Sequence, residues 1–209
     1  ITFIGDYLNS GMSVVDVGGG LGTYSLSAAQ SVGESGKVFC FEPGKTAKKY
    51  LEMSKVNNGF NHLEIIGKAV SDRSGKEGWS DGESPEFGML NEDREPSVRT
   101  VTINTWWDFE GRPEVDLMKI DTNGDELNAL KGAEELIESE HPLLIVSVMG
   151  ERPGSSLSDL YDYLNRYGYK FYTYVSGPGL LAEHDVNTAL DNYIQNLVAV
   201  HSSELSVLE

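Results

Sequence analysis

The chain has 209 residues, 39% hydrophobic and 23% charged, long enough for one domain to bury a full core without disulfides or metal staples. Sixteen basic residues against 33 acidic ones leave a formal charge of −17. With no Lys/Arg stripe to offset it, that field repels phosphate backbones, so no nucleic-acid partner is expected; nor is any apolar run near the roughly 18 residues a membrane span needs.

The chain opens at Ile1 with no basic, apolar leader, and reads as a domain excised from a longer chain. Apolar runs bounded by turn residues then alternate with helical patterns, the mark of βα units around a largely parallel sheet. The first strand is expected at 13–17, followed by a small, apolar helix at 23–31. The second strand, 37–41, carries the lone Cys40 among Val38, Phe39 and Phe41, which reads as a buried structural thiol. A single cysteine fits a reducing, cytoplasmic compartment. After Pro43 a helix is expected at 46–57, then a strand from Leu63 running to Val70.

Residues 71–97, rich in Gly, Ser, Glu and Asp, read as a long loop or strand-poor insertion, and loops of that length are often functional. A fourth strand over 115–120 precedes a single helix at 125–138, where Leu127, Leu130, Ala133, Leu136 and Ile137 recur at helical spacing. A strand at 141–148 and a helix at 157–167 follow. Two β-rich runs, 169–174 and 193–200, separated by a loop at 176–187, are expected to pair antiparallel at the sheet edge. No repeat or linker interrupts residues 1–209, so the reading is one α/β domain of the Rossmann-like kind.

The chemistry concentrates at four places. Asp16-Val17-Gly18-Gly19-Gly20-Leu21-Gly22 follows a strand and opens a helix, so its backbone can approach a ligand closely beside free helix N–H groups. A dinucleotide turn wants G-x-G-x-x-G, and Thr23 stands at the third glycine. Asp16 would face a pyrophosphate unfavourably, yet suits a ligand carrying an ammonium and a sulfonium: S-adenosylmethionine (SAM). The plain alternative is that Asp16 and the glycines only build the turn.

Glu42 ends the second strand, where such folds place an acid for ribose hydroxyls. Ala69, near the end of the third strand, offers a backbone N–H to the adenine edge. Lys119 and Asp121 project to one face of the fourth strand, whose carboxyl end borders the ligand crevice. A lysine in an apolar run is costly unless paired, and Asp121 is its nearest partner. Asp121 there can act as a base or fix a hydroxyl; a structural ion pair is the alternative. His184 is a second candidate base, with a solvated loop histidine as the plainer reading, whereas His62, His141 and His201 carry no constellation.

The runs 14–29, Phe41-Glu42-Pro43, 57–62, 68–72 and 116–133 together resemble the FkbM family of SAM-dependent methyltransferases, from about Gly11 to Val148. Residues 101–108 resemble the segment that precedes the family's fourth strand. The resemblance implies a class I methyltransferase fold, with a mostly parallel seven-stranded sheet, helices on both faces and an antiparallel edge pair. It implies methyl transfer to a hydroxyl of a sugar, glycan or related natural product. Asp16, Gly18, Gly19, Gly20, Tyr24, Glu42, Ala69 and Asp121 would hold SAM, while Lys119 and Asp121 face the reacting centre. The family usually carries Glu where Asn123 stands and an acid near Ser147, which leaves open a SAM-binding module without turnover. An NAD-dependent oxidoreductase is disfavoured by Asp16 and Thr23. A metal-assisted reading would use Asp121, Asp125 and Glu126, although acids are favoured at a helix start anyway; no metal is expected. Trp79, Phe87, Trp106 and Trp107 are candidates to stack on a sugar face, with ordinary packing as the plain alternative for each. Fusion to other glycan-assembly domains would suit such a chain.

Overall fold

The computed structural model describes residues 2–80, 88–148, 156–175, 178–188 and 194–205. A short helix α1 (Thr2–Tyr7) leads into β1 (Ser13–Val17), α2 (Thr23–Val32), β2 (Lys37–Phe41), α3 (Lys45–Asn58) and β3 (Leu63–Ile66). The chain then builds β4 (Ala69–Val70), β5 (Gly75–Ser80), β6 (Met89–Leu90) and β7 (Pro96–Val101). It returns through α4 (Ile103–Phe109), β8 (Leu117–Ile120), α5 (Glu126–Lys131), α6 (Glu134–Glu140) and β9 (Leu143–Ser147). The last part is α7 (Leu157–Arg166), β10 (Tyr169–Val175), β11 (Leu180–Glu183) and β12 (Asn196–His201).

Strands β3-β2-β1-β8-β9 lie parallel, and β12, β10 and β11 extend the sheet antiparallel, giving eight strands in the order β11-β10-β12-β9-β8-β1-β2-β3. The β10–β12 pair is the expected one, but β12 stands inside the sheet rather than at its edge. The eighth strand, β11, comes from the 176–187 stretch expected to be a loop. Val17 is in register with both Phe41 and Ile120. The loops leaving β1, β2 and β8 therefore open at one level of the sheet, where neighbouring connections diverge and a ligand crevice forms.

Side-chain alternation divides the core between the two faces. Val15, Val17, Phe39, Phe41 and Ile120 meet Trp106, Trp107 and α5–α7 on one side. Val14, Val38 and Cys40 meet Ile4, Ala29, Val32 and Leu51 on the other. Trp106 packs edge-on against Phe39 and Phe41, with centroids 4.8 and 5.4 Å away. Trp106 and Trp107 are thus core residues, not sugar platforms, and Phe87 lies outside the described residues.

Two other expectations are corrected. The run 63–70 is not one strand: Lys68 N–H turns back to the Ile66 carbonyl, and β4 leaves to pair with β7. Residues 71–97, expected to be strand-poor, instead supply most of a second, four-stranded sheet, β4-β7-β5-β6. Its two longer strands mix exposed, half-buried and buried residues and carry no apolar alternation, which hid them. The helix expected over 125–138 breaks at Gly132, whose carbonyl accepts the Asn104 N–H instead of continuing the helix. A Cβ at Gly132 would lie 2.2 Å from the Ser71 carbonyl oxygen, so the break is also a close packing point.

Candidate active site

The glycine loop is fixed by contacts that leave no room for side chains. Gly18 takes a φ of 81°, and a Cβ there would lie 1.8 Å from the Asp121 carbonyl oxygen. Its N–H and that of Gly19 donate to the Phe41 carbonyl at 2.9 and 3.1 Å. Gly19 rests on Cys40, whose Sγ would be 2.1 Å from an added Cβ. Helix α2 then starts behind Gly22 with no side-chain cap and no acid in its first turn. Such a helix end favours an anion.

Glu42 leans back over this loop. Its Oε2 accepts the Gly20 N–H at 2.8 Å and its Oε1 the Gly44 N–H at 2.6 Å. Burial pushes its pKa up, and the two N–H donors oppose that. Glu42 lines an inner recess with Gly18, Pro43, Ala69, Val70, Leu90, Trp79 and Asp121. Trp79, expected to grip an acceptor, therefore faces the Glu42 recess. Its ring covers Gly88, where an added Cβ would lie 2.1 Å from the ring carbon Cζ2.

Asp16 lines neither this recess nor the cleft beside it. Strand alternation turns it under the loop, 1% exposed, where its Oδ2 accepts the Ser25 hydroxyl at 2.5 Å. Its Oδ1 has no hydrogen-bond partner among the described residues. Burial raises its pKa, opposed first by the charge of Lys119, its register partner on β8. Asp16, expected to help hold a ligand carrying an ammonium and a sulfonium, thus lies beneath the glycine loop.

Lys119 is 1% exposed, and its Nζ donates to the Asp121 Oδ2 at 3.0 Å while sitting 4.2 Å from the Tyr24 ring centroid. The Asp121 side chain keeps 36% of its surface. Asp121 opens on both the inner recess and an outer cleft containing Gly18–Gly20, Tyr24, Lys119, Asn123, Ser147, Gln195 and Asn196. Beyond it, Glu126 Oε1 accepts the N–H groups of Thr122 and Gly124 at 2.9 and 3.0 Å. Asn123, at φ 56°, donates through Nδ2 to the Gly88 carbonyl at 3.2 Å. Asp125 accepts from Ser71 and Asn128. The carboxylates of Asp125 and Glu126 are thus engaged in holding the loop.

His184 stands elsewhere, its Nε2 2.8 Å from the Tyr161 hydroxyl in a different recess. His141 and His201 stack on each other 3.7 Å apart, and His62 bonds the Ala29 carbonyl. Sequence reasoning missed Gln195 and Asn196. Asn196 pairs with Ser147 across β9–β12, and its Oδ1 is buried without a partner among the described residues. A polar residue opening an otherwise apolar strand was the available signal.

The description "Methyltransferase FkbM domain" matches residues 16–171. Among solved structures, an FkbM methyltransferase from Methylobacillus flagellatus KT aligns with 91% of this chain at 18% identity and a TM-score of 0.61. The chain spans only 43% of that protein's length. A SAM-dependent O-methyltransferase from Thermotoga maritima aligns with 96% of this chain and 63% of its own, at 16% identity and a TM-score of 0.54. An rRNA methylase from Streptococcus thermophilus aligns with 95% of this chain and 90% of its own, at 12% identity and a TM-score of 0.53. At these identities the likeness is one of fold. No curated protein matches the chain.

Proposed function

The chain belongs to the FkbM methyltransferase family, and from that premise we propose that it moves the methyl group of SAM onto a hydroxyl oxygen of a neutral sugar or glycan acceptor. SAM is the cofactor of this family's chemistry, and the residues present fit it. Glu42 offers buried carboxylate lone pairs for ribose hydroxyls, and Pro43, Ala69, Val70, Leu90 and Trp79 offer an apolar slot for a flat base. The uncapped start of α2 suits the methionine carboxylate, and Gly18 leaves the backbone bare beside Asp121. Asp16 then acts from below, holding Ser25 and through it the first turn of α2.

When bound, SAM supplies an electrophilic methyl group on a cationic sulfur. Asp121 takes the proton leaving the acceptor hydroxyl as the oxygen attacks. Lys119 holds the Asp121 carboxylate in one orientation and is itself held against the Tyr24 ring, so base and acceptor meet in a fixed geometry. Ser147, Gln195 and Asn196 give the outer cleft uncharged donors and acceptors, which suit a polyhydroxyl ligand. The −17 charge disfavours anionic acceptors. The single observation that carries the reading is Asp121, paired with a buried lysine and open to both the cofactor recess and the polar cleft. A cytoplasmic setting beside other glycan-assembly domains fits the buried lone thiol and the 43% of the Methylobacillus relative's length that this chain spans.

Calorimetric titration with SAM, its demethylated product and NAD, followed by transfer of labelled methyl onto neutral glycosides, tests this reading. Asp121→Ala should cut turnover by about 10²–10⁴-fold while SAM affinity stays within a few-fold. Near wild-type turnover would remove Asp121 as the base. SAM binding with no transfer to any hydroxyl acceptor would instead favour a cofactor-binding module, the reading to which Asn123 and Ser147 point.

A further inference from the structure

The outer cleft does not end at Tyr24. Tyr24, Gln195 and Asn196 also line a second recess of about 230 Å³, between α1 and the antiparallel part of the large sheet. Its far wall holds Phe3 and Tyr174, whose rings meet at 5.3 Å and 54°. The Tyr174 hydroxyl donates to Asp6 of α1 at 3.0 Å, which fixes that ring against the helix. Thr173 adds a hydroxyl, and no charged side chain among the described residues lines the recess. In a chain of net charge −17 this is an uncharged surface that is aromatic at one end and amide-bearing at the other.

That combination fits a pyranose ring. The C–H face of a sugar packs on an aromatic face, while its hydroxyls pair with amide and hydroxyl groups at the edge. Gln195 and Asn196, the latter with its amide turned to the Tyr24 hydroxyl, stand where the two recesses join. We propose that this recess is a second acceptor subsite that holds the neutral sugar unit next to the one being methylated, so that the preferred acceptor is a neutral di- or oligosaccharide. The proposal rests on the reading of the Asp121 cleft as the hydroxyl-acceptor site. Tyr24 would divide the two units, with its ring against Lys119 on the reacting side and its hydroxyl 3.5 Å from the Asn196 Nδ2.

The test uses the full chain saturated with S-adenosylhomocysteine and a panel of methyl glycosides of neutral hexoses and deoxyhexoses, with the matching disaccharides. Binding is read by saturation-transfer NMR and methyl transfer from labelled SAM. Disaccharides should bind about tenfold more tightly than monosaccharides. Tyr174→Ala and Phe3→Ala should each erase that advantage, and Tyr174→Phe, which keeps the ring, should retain it. Equal binding of mono- and disaccharides, or an advantage that survives Tyr174→Ala and Phe3→Ala, overturns the subsite. Methylated monosaccharides with no disaccharide advantage would sink the subsite and keep the methyl-transfer reading. A ring-dependent advantage without transfer would do the reverse.

Discussion

The two sheets meet at the Glu42 recess, but each brings a different kind of group to it. The eight-stranded sheet supplies bare backbone at Gly18 and carboxylates at Glu42 and Asp121, all at strand ends held in register by parallel ladders, with Lys119 behind Asp121 on the outer-cleft side. The four-stranded sheet supplies surfaces: the Trp79 ring, Leu90 and the Gly88 carbonyl that Asn123 reaches. Groups of the first kind tolerate almost no displacement, because glycine, carbonyl and sulfur are already in contact. Groups of the second kind sit on short strands outside the large sheet and need only cover a flat ring. Damage to the large sheet's edge should therefore disrupt the whole site, and damage to the small sheet should weaken one part of the ligand.

Gly18→Ala is the sharpest way to break the first half of that contrast. The added methyl would drive the loop away from the Asp121 carbonyl while asking a non-glycine residue to hold a φ of 81°. A shift near 1 Å at such a point costs about 10²-fold, so both SAM affinity and turnover should collapse. Affinity within a few-fold of wild type would mean that the loop has slack that the packing denies.

Trp79→Ala should cost less and act more selectively. Stacking of a base on an aromatic side chain contributes about 1–3 kcal/mol, so affinity for S-adenosylhomocysteine should fall by about 5- to 100-fold. Acceptor binding should hold once the cofactor is saturating, and Trp79→Phe should recover most of the loss. If acceptor binding fell and cofactor binding did not, Trp79 would belong to the outer cleft after all. Asn123→Ala, which removes the 3.2 Å tether to Gly88, should weaken cofactor binding by only a few-fold, about what one neutral hydrogen bond contributes.

The same contrast explains what the sequence revealed. Asp16, the glycines, Glu42, Lys119 and Asp121 were legible because each breaks a strong apolar pattern at the end of a buried strand. Their order on the sheet follows from parallel pairing. The depth of Asp16 was not legible: strand alternation gives a face, but the packing of Ser25 and Cys40 decides whether that face is open. The small sheet was hidden because Gly75–Ser80 and Pro96–Val101 carry no alternating pattern; their ladder pairs residues of mixed burial and shifts register between Glu77 and Gly78. Trp79 was visible as a residue but not as a position, since only the fold lays it over Gly88. Asn196 meets Tyr24 from 172 residues away in the sequence, a separation no local pattern encodes.

The smallest expected effect reads how the large sheet carries its buried acids. Asp16, Glu42 and Glu126 all have pKa values raised by burial above their ordinary 3.8 to 4.5. Between those ordinary values and the raised ones, the folded chain binds more protons than the unfolded chain. The stability of the cofactor-free chain should therefore fall as pH rises through that interval, and should grow on mild acidification from neutrality. SAM affinity should move the other way, because Glu42 accepts ribose hydroxyls only with free lone pairs and loses them as it takes up a proton. Relief of the −17 charge also favours the folded chain at lower pH, so the absolute slope does not isolate any one acid. Glu42→Gln does isolate one, because wild type and variant share every other charge. The variant should bind SAM more weakly throughout, with a flatter pH dependence, and its melting temperature should rise less on acidification, by about a few degrees at most. Parallel curves for the two proteins between about pH 7 and about pH 5 would mean that Glu42 stays ionised over its two N–H donors across that range, and that the pH response belongs to Asp16 and Glu126.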